Sequence, residues 1–567
     1  MQKKNNSNKN KIFSSRLMWL QVIFAVLVSG FILYLFCIQV IDVKNYRVKA
    51  KKQRKASSFI LRGNIYDRNG IKLATDNVYY DIFARRDDFV HTPEELAKLL
   101  APILKISQVN LTEKLKQNVP LISLKKNVDR QTRDKIARLN LREIPMDKKS
   151  IRIYPQGTLA AHVLGYYNFD ADVASGVEET AKDKLESVSK NVDYEMTPRG
   201  KVIYNISTDP IATTKPIKGQ DVILTIDAAV QHVCEKSLMK VIQQYKAYRG
   251  SVIVMNPRNG EILAYAVYPY FDPNNFKTAT YFQTKNWTLT DVFPPGSTFK
   301  AITIACAMEL GKINKNTKIN DTGKIKVGWW TIKNYDYNKH PNPGLIDLVY
   351  LFQHSSNVGS VLVAQMMNKF EYYDMLKKFG FGEKTGIDLP AESIGILKSP
   401  IKWDSSDHAS MSYGYGSSVT AIQMVSAVSA IANDGIRVTP HVIKYSPEEE
   451  AIKVKKTQVM TPEHARAVTD LLTASINNSK SIIKMDHYNI AAKTGTSIKP
   501  KENGAGYTTK LYTSIVGYLP SSDPQVLIYV IVDSAQGAEI WGNTVAAPIF
   551  KEISTQLTHI LNLQPDK

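Results

Sequence analysis

The amino-acid sequence predicts an α+β protein that begins with a single transmembrane helix and continues into two further domains. At 567 residues the chain is too long for one ordinary hydrophobic core. Its N-terminal part holds a long uncharged stretch, and its C-terminal half begins and ends with strand-like segments that enclose helical ones. A sheet of early and late strands, covered by helices, is the natural closure of that order.

The uncharged stretch runs from Leu17 to Ile41 and is rich in Leu, Val, Ile and Phe. As a helix it would measure about 37 Å, which is enough to cross a bilayer with some tilt. A cleaved signal peptide would have a shorter apolar core of about 7 to 15 residues. Lipoprotein processing at Cys37 is disfavoured because Phe36 stands where a small residue is needed. We therefore expect a cytoplasmic tail at 1–16 and a transmembrane anchor at 17–41.

The charges that flank this anchor do not establish its orientation. Positive residues are fewer before the stretch, from Lys3 to Arg16, than after it, from Lys44 to Lys55. Simple counting of flanking positives would therefore keep the C-terminal domains inside the cell, although long domains translocate largely regardless of such counts. An extracytoplasmic location must rest on the chemistry of the later motifs.

Charge and cysteine usage exclude several functional classes. The net charge of +21 comes from lysines spread along the chain without a nucleic-acid-binding motif, so we expect no nucleic-acid partner. Anionic lipid headgroups or wall polymers account for the charge better. Cys37, Cys234 and Cys306 lie far apart in apolar surroundings, which predicts buried thiols. Without H-E-x-x-H, P-loop or G-x-S-x-G patterns, we expect neither a metal nor a cofactor.

Beyond the anchor, the sequence pattern changes near residue 216. Residues 42–216 are charged and interrupted, and Asn69-Gly70 between apolar flanks predicts a β-hairpin, so we expect an extended α+β domain there. Residues 217–567 open with a strand followed by an amphipathic helix. A second hairpin follows in "GSVIVMNPRNGEILAYAV", late strands in "TSIVGYLP" and "PQVLIYVIVD", and a terminal helix from about Ala546.

The segment "FPPGSTFKAI" places a serine and a lysine at the start of a predicted helix. Two prolines and a glycine precede Ser297, so Ser297 falls at the helix start and Lys300 lies one turn further on the same face. Free N–H groups at a helix start favour an oxyanion. A lysine whose pKa is lowered by burial or by another cation can activate the serine. An isolated S-x-x-K, however, is usually a helix cap with a surface lysine.

Two later clusters strengthen the case for a catalytic site. "HSSNVG" places the hydroxyl of Ser355 and the amide of Asn357 on one side of a short turn, although such residues also cap helices. "AAKTGTS" has the alternation of a strand, with Lys493, Thr494, Gly495 and Thr496. An ordinary edge strand would explain that cluster alone. All three motifs in this order in one chain indicate a common site.

Together the three motifs resemble the active site of penicillin-recognising serine enzymes, specifically the class B penicillin-binding proteins. The resemblance runs along nearly the whole chain and includes "RGNIYDRNG", "IYPQGTLAAHVLGYYN", "FGFGEKTGIDLPAES" and "YGYGSSVT". "SSNVG" and the compact length are similar to the division-type, septal transpeptidases.

The resemblance implies a pedestal (dimerisation-like) domain at 42–216. It also implies a transpeptidase domain at 217–567, with a five-stranded antiparallel sheet between helices.

The resemblance also implies the reaction, a D,D-transpeptidation that crosslinks peptidoglycan stem peptides with release of D-alanine. Ser297 would be the nucleophile, Lys300 the base and Ser355 a proton relay. Asn357 would bind both Lys300 and the substrate amide. Lys493 would keep a positive potential in the site. Thr494 and Thr496 would bind the substrate carboxylate beside Gly495. The backbone N–H groups of Ser297 and Thr496 would form the oxyanion hole.

Location and partners are implied in the same way. A single-pass protein of a bacterial cell membrane would hold its catalytic domain outside and use lipid-linked precursors, with β-lactams as inhibitors. Its partners would be a polytopic glycosyltransferase and other divisome membrane proteins, coupled through the pedestal around Arg62, Asp67 and Arg68. The chemistry of those three residues indicates only a turn and a salt bridge. His354 has no role in the family pattern, and we expect it to be structural or exposed.

Two alternatives to a transpeptidase remain. A D,D-carboxypeptidase or β-lactamase shares the serine and lysine but transfers the acyl group to water. The deacylating glutamate of class A β-lactamases is missing, since no Glu-x-x-x-Asn lies between Asn357 and Lys493. A non-catalytic divisome scaffold or β-lactam sensor would tolerate loss of the nucleophile, whereas every motif residue is present here.

Overall fold

The computed structural model describes Trp19 and residues 22–37, 55–56, 60–169, 171–186, 194–196, 202–203, 217–501 and 506–567. Its internal contacts divide the chain into two compact units. One unit contains Met1–Leu61 with Val188–Lys218, and the other contains Arg62–Ser187 with Gly219–Lys567. All three sequence motifs lie in the second unit.

The described part of the first unit consists of short strands and one helical segment. Lys55–Ala56, Tyr194–Met196 and Val202–Ile203 form a small antiparallel sheet. Ile60–Leu61 pairs in parallel with Ile217–Lys218. Residues 22–36 are helical, and their apolar side chains are mostly exposed.

The predicted transmembrane anchor is not confirmed. Among the residues that the structure describes, no helix combines the length and apolar character needed to cross a membrane. The anchor predicted at 17–41 is described only at Trp19 and 22–37, and the predicted tail at 1–16 lies outside the described residues.

The cysteines are free thiols, but only two of them are buried. Cys234 and Cys306 are fully buried, as predicted, whereas Cys37 is exposed. The prediction of a buried thiol is therefore wrong for Cys37. Most side chains of the helical segment that ends at Cys37 are exposed, so its apolar surroundings in sequence do not become a packed core.

The N-terminal part of the second unit is an α+β domain built around one long strand, Lys72–Arg85. Leu121–Val128 and Met146–Ile153 pair with it in antiparallel fashion. Ile65–Tyr66 also pairs with it and joins Val222–Ile223 in parallel. Three helices pack into the same core as this sheet: Pro93–Leu104, Gln108–Leu115 and Arg130–Ala137.

The predicted hairpin at Asn69-Gly70 connects two of these strands. Asp67 Oδ1 closes the turn by accepting hydrogen bonds from the N–H groups of Asn69 at 2.9 Å and Ile71 at 2.7 Å. Arg68 pairs with Glu261 of the C-terminal domain at 3.3 Å. The turn and the salt bridge predicted for this segment are therefore confirmed.

A buried cluster of charges stabilises the same domain. Glu178 is fully buried, and its carboxylate accepts from Arg62 at 2.9 Å and from Arg152 at 2.6 Å. Arg152 also pairs with Asp76 at 2.9 Å. Removing one partner from such a cluster leaves an uncompensated buried charge, which costs about 3–5 kcal/mol. Arg62 of "RGNIYDRNG" is therefore part of the domain interior.

The C-terminal part of the second unit is built on the predicted five-stranded antiparallel sheet, which is confirmed. Its strands, in spatial order, are Ile262–Tyr268, Arg249–Met255, Val526–Asp533, Tyr507–Leu519 and Ala491–Pro500. Early and late segments of the chain thus lie side by side, and Ala491–Pro500 forms one edge. We call Ala491–Pro500 the edge strand.

Helices cover both faces of this sheet. Val252 and Val254 face a core shared with Ala228–Gln244 and Ala547–Ile560. Ile253 and Met255 face the opposite core. The helices of that side include Lys300–Glu309, Ala421–Ala432 and Pro462–Asn477. Burial on both faces explains why "VLIYVIVD" is continuously apolar rather than alternating.

Smaller elements complete the C-terminal part of the second unit. The further helices of eight or more residues are Asn357–Gln365 and Lys369–Lys378, and shorter ones are Gly296–Phe299, Leu348–Gln353, Ser405–Met411, Pro447–Lys453 and Gly542–Ala546. Three two-stranded ladders join Lys318–Asp321 to Gly344–Asp347, Lys324–Val327 to Trp330–Lys333, and Ile436–Val438 to Lys456–Gln458.

Candidate active site

Ser297 lies in a 3₁₀ turn that runs directly into a buried α-helix. The turn spans Gly296–Phe299 and the helix spans Lys300–Glu309, so the predicted helix start is confirmed. Gly296 adopts φ +59°, and a β-carbon there would lie 2.9 Å from the carbonyl oxygen of Thr496. Both the backbone conformation and this close approach require glycine immediately before the serine.

The amine of Lys300 is the centre of the site. Its side chain is fully buried. Nζ donates to the carbonyl oxygen of Ser355 at 2.5 Å, to Ser355 Oγ at 3.1 Å and to Asn357 Oδ1 at 2.8 Å. The lysine of the first motif and both polar residues of the second are thus brought together, as the sequence predicts.

The hydroxyl of Ser297 remains unengaged. Ser297 is half-buried, and its Oγ forms no hydrogen bond with any residue in the described part of the chain. The lysine amine is occupied by the second motif instead. In this structure Lys300 and Ser297 share a turn but are not joined by a direct hydrogen bond.

The second motif is a strained turn between two helices. Ser355 follows Leu348–Gln353 and has φ +52°, a conformation that non-glycine residues rarely adopt. The helix cap is its neighbour, Ser356, whose Oγ accepts from the N–H of Gly359 at 2.8 Å. Ser355 itself takes the left-handed position that ends the preceding helix, where the N–H of Ser356 donates to the carbonyl oxygen of Leu351 at 3.0 Å. This backbone also directs the carbonyl oxygen of Ser355 to Lys300. Strain of this kind concentrates at functional sites.

A buried polar network beneath this turn was not predicted from the sequence. Asp321 is fully buried and accepts from Ser356 Oγ at 2.5 Å and from Asn334 Nδ2 at 2.9 Å. Asn334 Oδ1 in turn accepts the backbone N–H groups of Asn357 at 2.9 Å and Val358 at 3.0 Å. Asp321 and Asn334 therefore hold the turn that presents Asn357 to Lys300.

Electrostatics lower the pKa of Lys300 well below its usual range. Burial is the largest cause, because it disfavours the charged ammonium, and the nearby charge of Lys493 acts in the same direction. The carboxylates of Asp321 and Asp336 oppose the shift. A buried amine that readily loses its proton has the property required of a general base.

Lys493 has a different environment from that of Lys300. Its side chain is also buried, which lowers its pKa to about 8, and Nζ donates to the carbonyl oxygen of Thr494 at 3.0 Å. A group with that pKa is still mostly protonated at pH 7. Lys493 therefore brings a positive charge into the site at pH 7.

The edge strand presents the third motif with the predicted alternation. Lys493, Gly495 and Ser497 are buried, whereas Thr494 and Thr496 are partly exposed. A β-carbon at position 495 would lie 2.7 Å from Ser514 Oγ and 2.9 Å from Thr298 Cγ2. Glycine therefore allows the edge strand to approach the turn Gly296–Phe299, which we call the nucleophile turn after the role predicted for Ser297.

Two hydrogen bonds connect the edge strand to its surroundings. Ser497 Oγ donates to the carbonyl oxygen of Pro294 at 2.6 Å, which ties the strand to the loop before the nucleophile. Thr496 Oγ1 accepts from the N–H of Gly542 at 3.0 Å. The strand, the nucleophile turn and the segment Gly542–Ala546 therefore form one wall of the site.

His354 lies beside the site. Its ring stacks on Tyr350 at 3.9 Å, and Nδ1 lies 3.5 Å from Asp336 Oδ2, a distance too long for a strong hydrogen bond. Its ring is partly buried in these contacts. In the part of the chain that the structure describes, the His354 ring forms no hydrogen bond with the hydroxyl of Ser297 or the amine of Lys300.

Comparisons with known proteins match two family models to this chain. Residues 250–555 match the family described as "Penicillin binding protein transpeptidase domain". Residues 60–224 match "Penicillin-binding Protein dimerisation domain". Together the two matches include the α+β domain and the five-stranded sheet.

Relatives match over most of their own length. "Stage V sporulation protein D" of Bacillus subtilis (strain 168) is 31% identical over 89% of this chain and 79% of that protein. "Peptidoglycan D,D-transpeptidase FtsI homolog" of Mesostigma viride is 30% identical over 98% of both chains. The crystal structure of Penicillin Binding Protein 2X from Streptococcus thermophilus shares the fold, with a TM-score of 0.74, 24% identity and coverage of 90% of this chain and 81% of that one. The chain therefore belongs to the penicillin-binding protein family, with a dimerisation domain followed by a transpeptidase domain.

Proposed function

We propose that this chain is a class B penicillin-binding protein that crosslinks peptidoglycan as a D,D-transpeptidase, in wall synthesis at the division septum. The observation that carries this proposal is the convergence of the buried Lys300 amine on Ser355 and Asn357, one turn from Ser297. The name of the Mesostigma viride relative supports the substrate class. The septal role rests on the resemblance of "SSNVG" and of the compact length to the division-type enzymes. β-Lactams, which acylate the serine of this family, are the expected inhibitors.

The first step is acylation of Ser297. In its neutral form the Lys300 amine has two N–H donors and one lone pair, so it keeps two of the three contacts described above and turns the lone pair toward Ser297. It takes the proton from Ser297 Oγ, which attacks the carbonyl carbon between the two terminal D-alanines of a stem peptide. A bond forms between Oγ and that carbon, and the bond from the carbon to the leaving nitrogen breaks. Ser355 Oγ, 3.1 Å from Lys300 Nζ, relays the proton to the leaving nitrogen. D-Alanine departs and an acyl-enzyme remains.

The second step transfers the acyl group to an amine of a neighbouring stem peptide. Neutral Lys300 takes a proton from that amine through Ser355 Oγ as the amine attacks the ester carbon. The bond to Ser297 Oγ then breaks, and Lys300 returns the proton to Oγ to restore the hydroxyl. An amide crosslink is the product. Water at the same position would give the hydrolysis that a carboxypeptidase performs.

The edge strand binds and stabilises the reacting groups. We assign the substrate carboxylate to Thr494 and Thr496, next to the positive charge of Lys493. The N–H groups of Ser297 and Thr496 would hold the oxyanion, and each donor of this kind typically contributes about 3–4 kcal/mol. Gly495 supports this arrangement because it allows the strand to lie against the nucleophile turn.

The membrane location and partners extend the same proposal. The uncharged sequence at 17–41 would anchor the chain in a bacterial cell membrane, with the catalytic domain on the extracytoplasmic side, where peptidoglycan lies. Lipid-linked precursors and a polytopic glycosyltransferase would then share that surface, together with other divisome proteins. The exposed apolar side chains of the helical residues 22–36 support an anchor at this position.

Replacing the nucleophile tests the central assignment. Fluorescent penicillin should label the purified protein covalently, and Ser297→Ala should lose the label because no other group supplies the attacking oxygen. Ser522→Ala, an exposed serine elsewhere, is the control and should label normally. Labelling of Ser297→Ala at the wild-type level would contradict the assignment.

Transfer and hydrolysis are separated by their products. With a stem pentapeptide donor and an amine acceptor, the wild-type protein should release D-alanine and form mainly the amide product. A dominant free tetrapeptide in the presence of acceptor, measured by mass spectrometry, would favour the carboxypeptidase alternative. Absence of both products together with normal penicillin labelling would favour the sensor alternative.

Asp321→Asn tests the network beneath the second motif. Ser356 Oγ and Asn334 Nδ2 now donate to the Asp321 carboxylate, and an asparagine there would present an N–H donor to one of them. The turn should therefore shift, and penicillin acylation should slow about 10- to 100-fold. Loss of the nearby negative charge should also lower the pKa of Lys300 further, which moves the midpoint of the acylation pH profile to lower pH. Asp374→Asn, an exposed carboxylate, is the control.

A uniform loss of activity in Asp321→Asn with an unmoved midpoint would indicate a merely structural role for Asp321. An unchanged rate would show that the network does not position Asn357.

Deleting residues 1–41 tests the anchor. The shortened chain should leave the membrane fraction in a flotation assay, because the apolar stretch 17–41 has been removed. A chain that lacks only 1–16 is the matched control and should remain bound. Flotation of the chain without 1–41 would contradict the anchor.

A further inference from the structure

A surface hairpin beside the site exposes an unusual set of aromatic side chains. The hairpin consists of Lys324–Val327 and Trp330–Lys333, and we call it the aromatic hairpin. Trp329 is 97% exposed, Trp330 is 68% exposed, and Tyr335, just beyond the second strand, is 72% exposed. Adjacent tryptophans exposed to this degree mark a binding surface more often than a bare protein surface.

The hairpin is firmly held on its inner side. Ile325 and Ile332 pair across the two strands and, with Val327, pack on Val361 and Ala409 of neighbouring helices. The aromatic tip is therefore presented by an ordered support. A rigid platform loses little conformational entropy when a partner binds.

The outer side of the aromatic hairpin is basic. Lys324 and Lys333 stand directly opposite each other in the register, and Lys326 lies on the same face. Both paired lysines approach the ring of Tyr337, at 5.6 and 5.2 Å. Like charges directly opposite each other destabilise a strand pair. An anionic partner would remove that repulsion.

The acids near the hairpin are already engaged. Asp336 is the sole acid between Lys324 and His340, and its side chain is 9% exposed and directed to His354. In the helix Ser405–Met411, which packs beside the hairpin, Asp407 pairs with Lys398 at 2.7 Å. Asp404 caps that same helix. The outer face therefore offers a net positive charge to a partner.

The hairpin connects directly to the active site. The carbonyl oxygen of Lys333 accepts a hydrogen bond from Asn357 Nδ2 at 2.9 Å, and the next residue, Asn334, holds the backbone of the second motif. A ligand that extends out of the cleft on this side would meet the lysines first and the tryptophans beyond them.

We propose that the aromatic hairpin is a subsite for the glycan strand to which the reacting stem peptide is attached. The apolar faces of N-acetylated sugar rings stack on Trp329 and Trp330, because their C–H groups complement the negative face of an indole. Lys324 and Lys333 bind carboxylates of the stem peptides on that strand. This inference rests on the proposed transpeptidase function and adds recognition of the sugar to it.

Binding measurements on the full-length protein in detergent test this subsite. Ser297 is first acylated with benzylpenicillin so that the cleft is occupied. The probes are uncrosslinked peptidoglycan strands that carry stem peptides, and the free stem pentapeptide. The wild-type protein should bind the strands at least about tenfold more tightly than the pentapeptide, because only the strands carry sugars.

Three variants separate the contributions of the two residue types. Trp329→Ala with Trp330→Ala should remove the preference for strands over the pentapeptide. Lys324→Gln with Lys333→Gln should weaken binding of strands and reduce its dependence on salt. Tyr281→Ala, which removes an aromatic side chain 78% exposed elsewhere, is the matched control and should bind as the wild type does.

Penicillin acylation rates distinguish failure of this inference from failure of the proposed function. Each variant should be acylated within about twofold of the wild-type rate, because none of the replaced side chains touches the reacting atoms. Lys333→Gln keeps the backbone carbonyl that accepts from Asn357. A wild-type protein that is not acylated would overturn the proposed function. Normal acylation with strand binding unchanged in the tryptophan variant would overturn the glycan subsite. If the tryptophan variant lost binding only to anionic vesicles and still bound the strands, the glycan subsite would be overturned in favour of a membrane contact.

Discussion

The burial of one amine, Lys300 Nζ, is the constraint on which the rest of the site depends. A protonated amine without solvent is costly, so this lysine gives up its proton more readily than a surface lysine does. Folding carries a cost for this. As pH falls from the ordinary lysine pKa of about 10.4 toward the lower pKa of the folded state, the unfolded chain binds a proton that the folded chain does not, and stability decreases. Below that window the cost is constant. The fold therefore tolerates a loss of stability at neutral pH at the residue to which we assign the role of base.

Backbone arrangements around the amine depend on residues outside the short motifs as well as on residues within them. Ser355 presents its carbonyl oxygen only because its backbone is left-handed, and the network of Asp321 and Asn334 holds the turn in that conformation. On the opposite side, Gly296 and Gly495 let the nucleophile turn and the edge strand approach more closely than a β-carbon permits. The buried carboxylate of Asp321 and the absence of side chains at Gly296 and Gly495 therefore bring together three motifs that are distant in sequence.

Much of this architecture follows from local patterns. The order of strands and helices was sufficient to predict the central sheet, since early and late apolar segments must pair to be buried. The S-x-x-K spacing was sufficient to place Lys300 one turn from Ser297. The network was not accessible in this way. Asp321 lies in "KINDTGK", and no local sequence pattern there distinguishes a buried acid from an exposed one. Its hydrogen-bond partners lie in later segments of the chain. The exposure of Cys37 escaped prediction because an apolar neighbourhood in sequence does not report tertiary packing.

The most direct test of this account is the pKa of Lys300 itself. Lysine side chains labelled with ¹⁵N can be titrated by NMR in the full-length protein, and the signal of residue 300 can be assigned by its loss in Lys300→Arg. The account predicts a midpoint well below the ordinary value of about 10.4, distinct from a second lysine, Lys493, that titrates at about 8. A midpoint for Lys300 at the ordinary value would contradict the central claim, because a fully charged amine would then occupy the position assigned to the base.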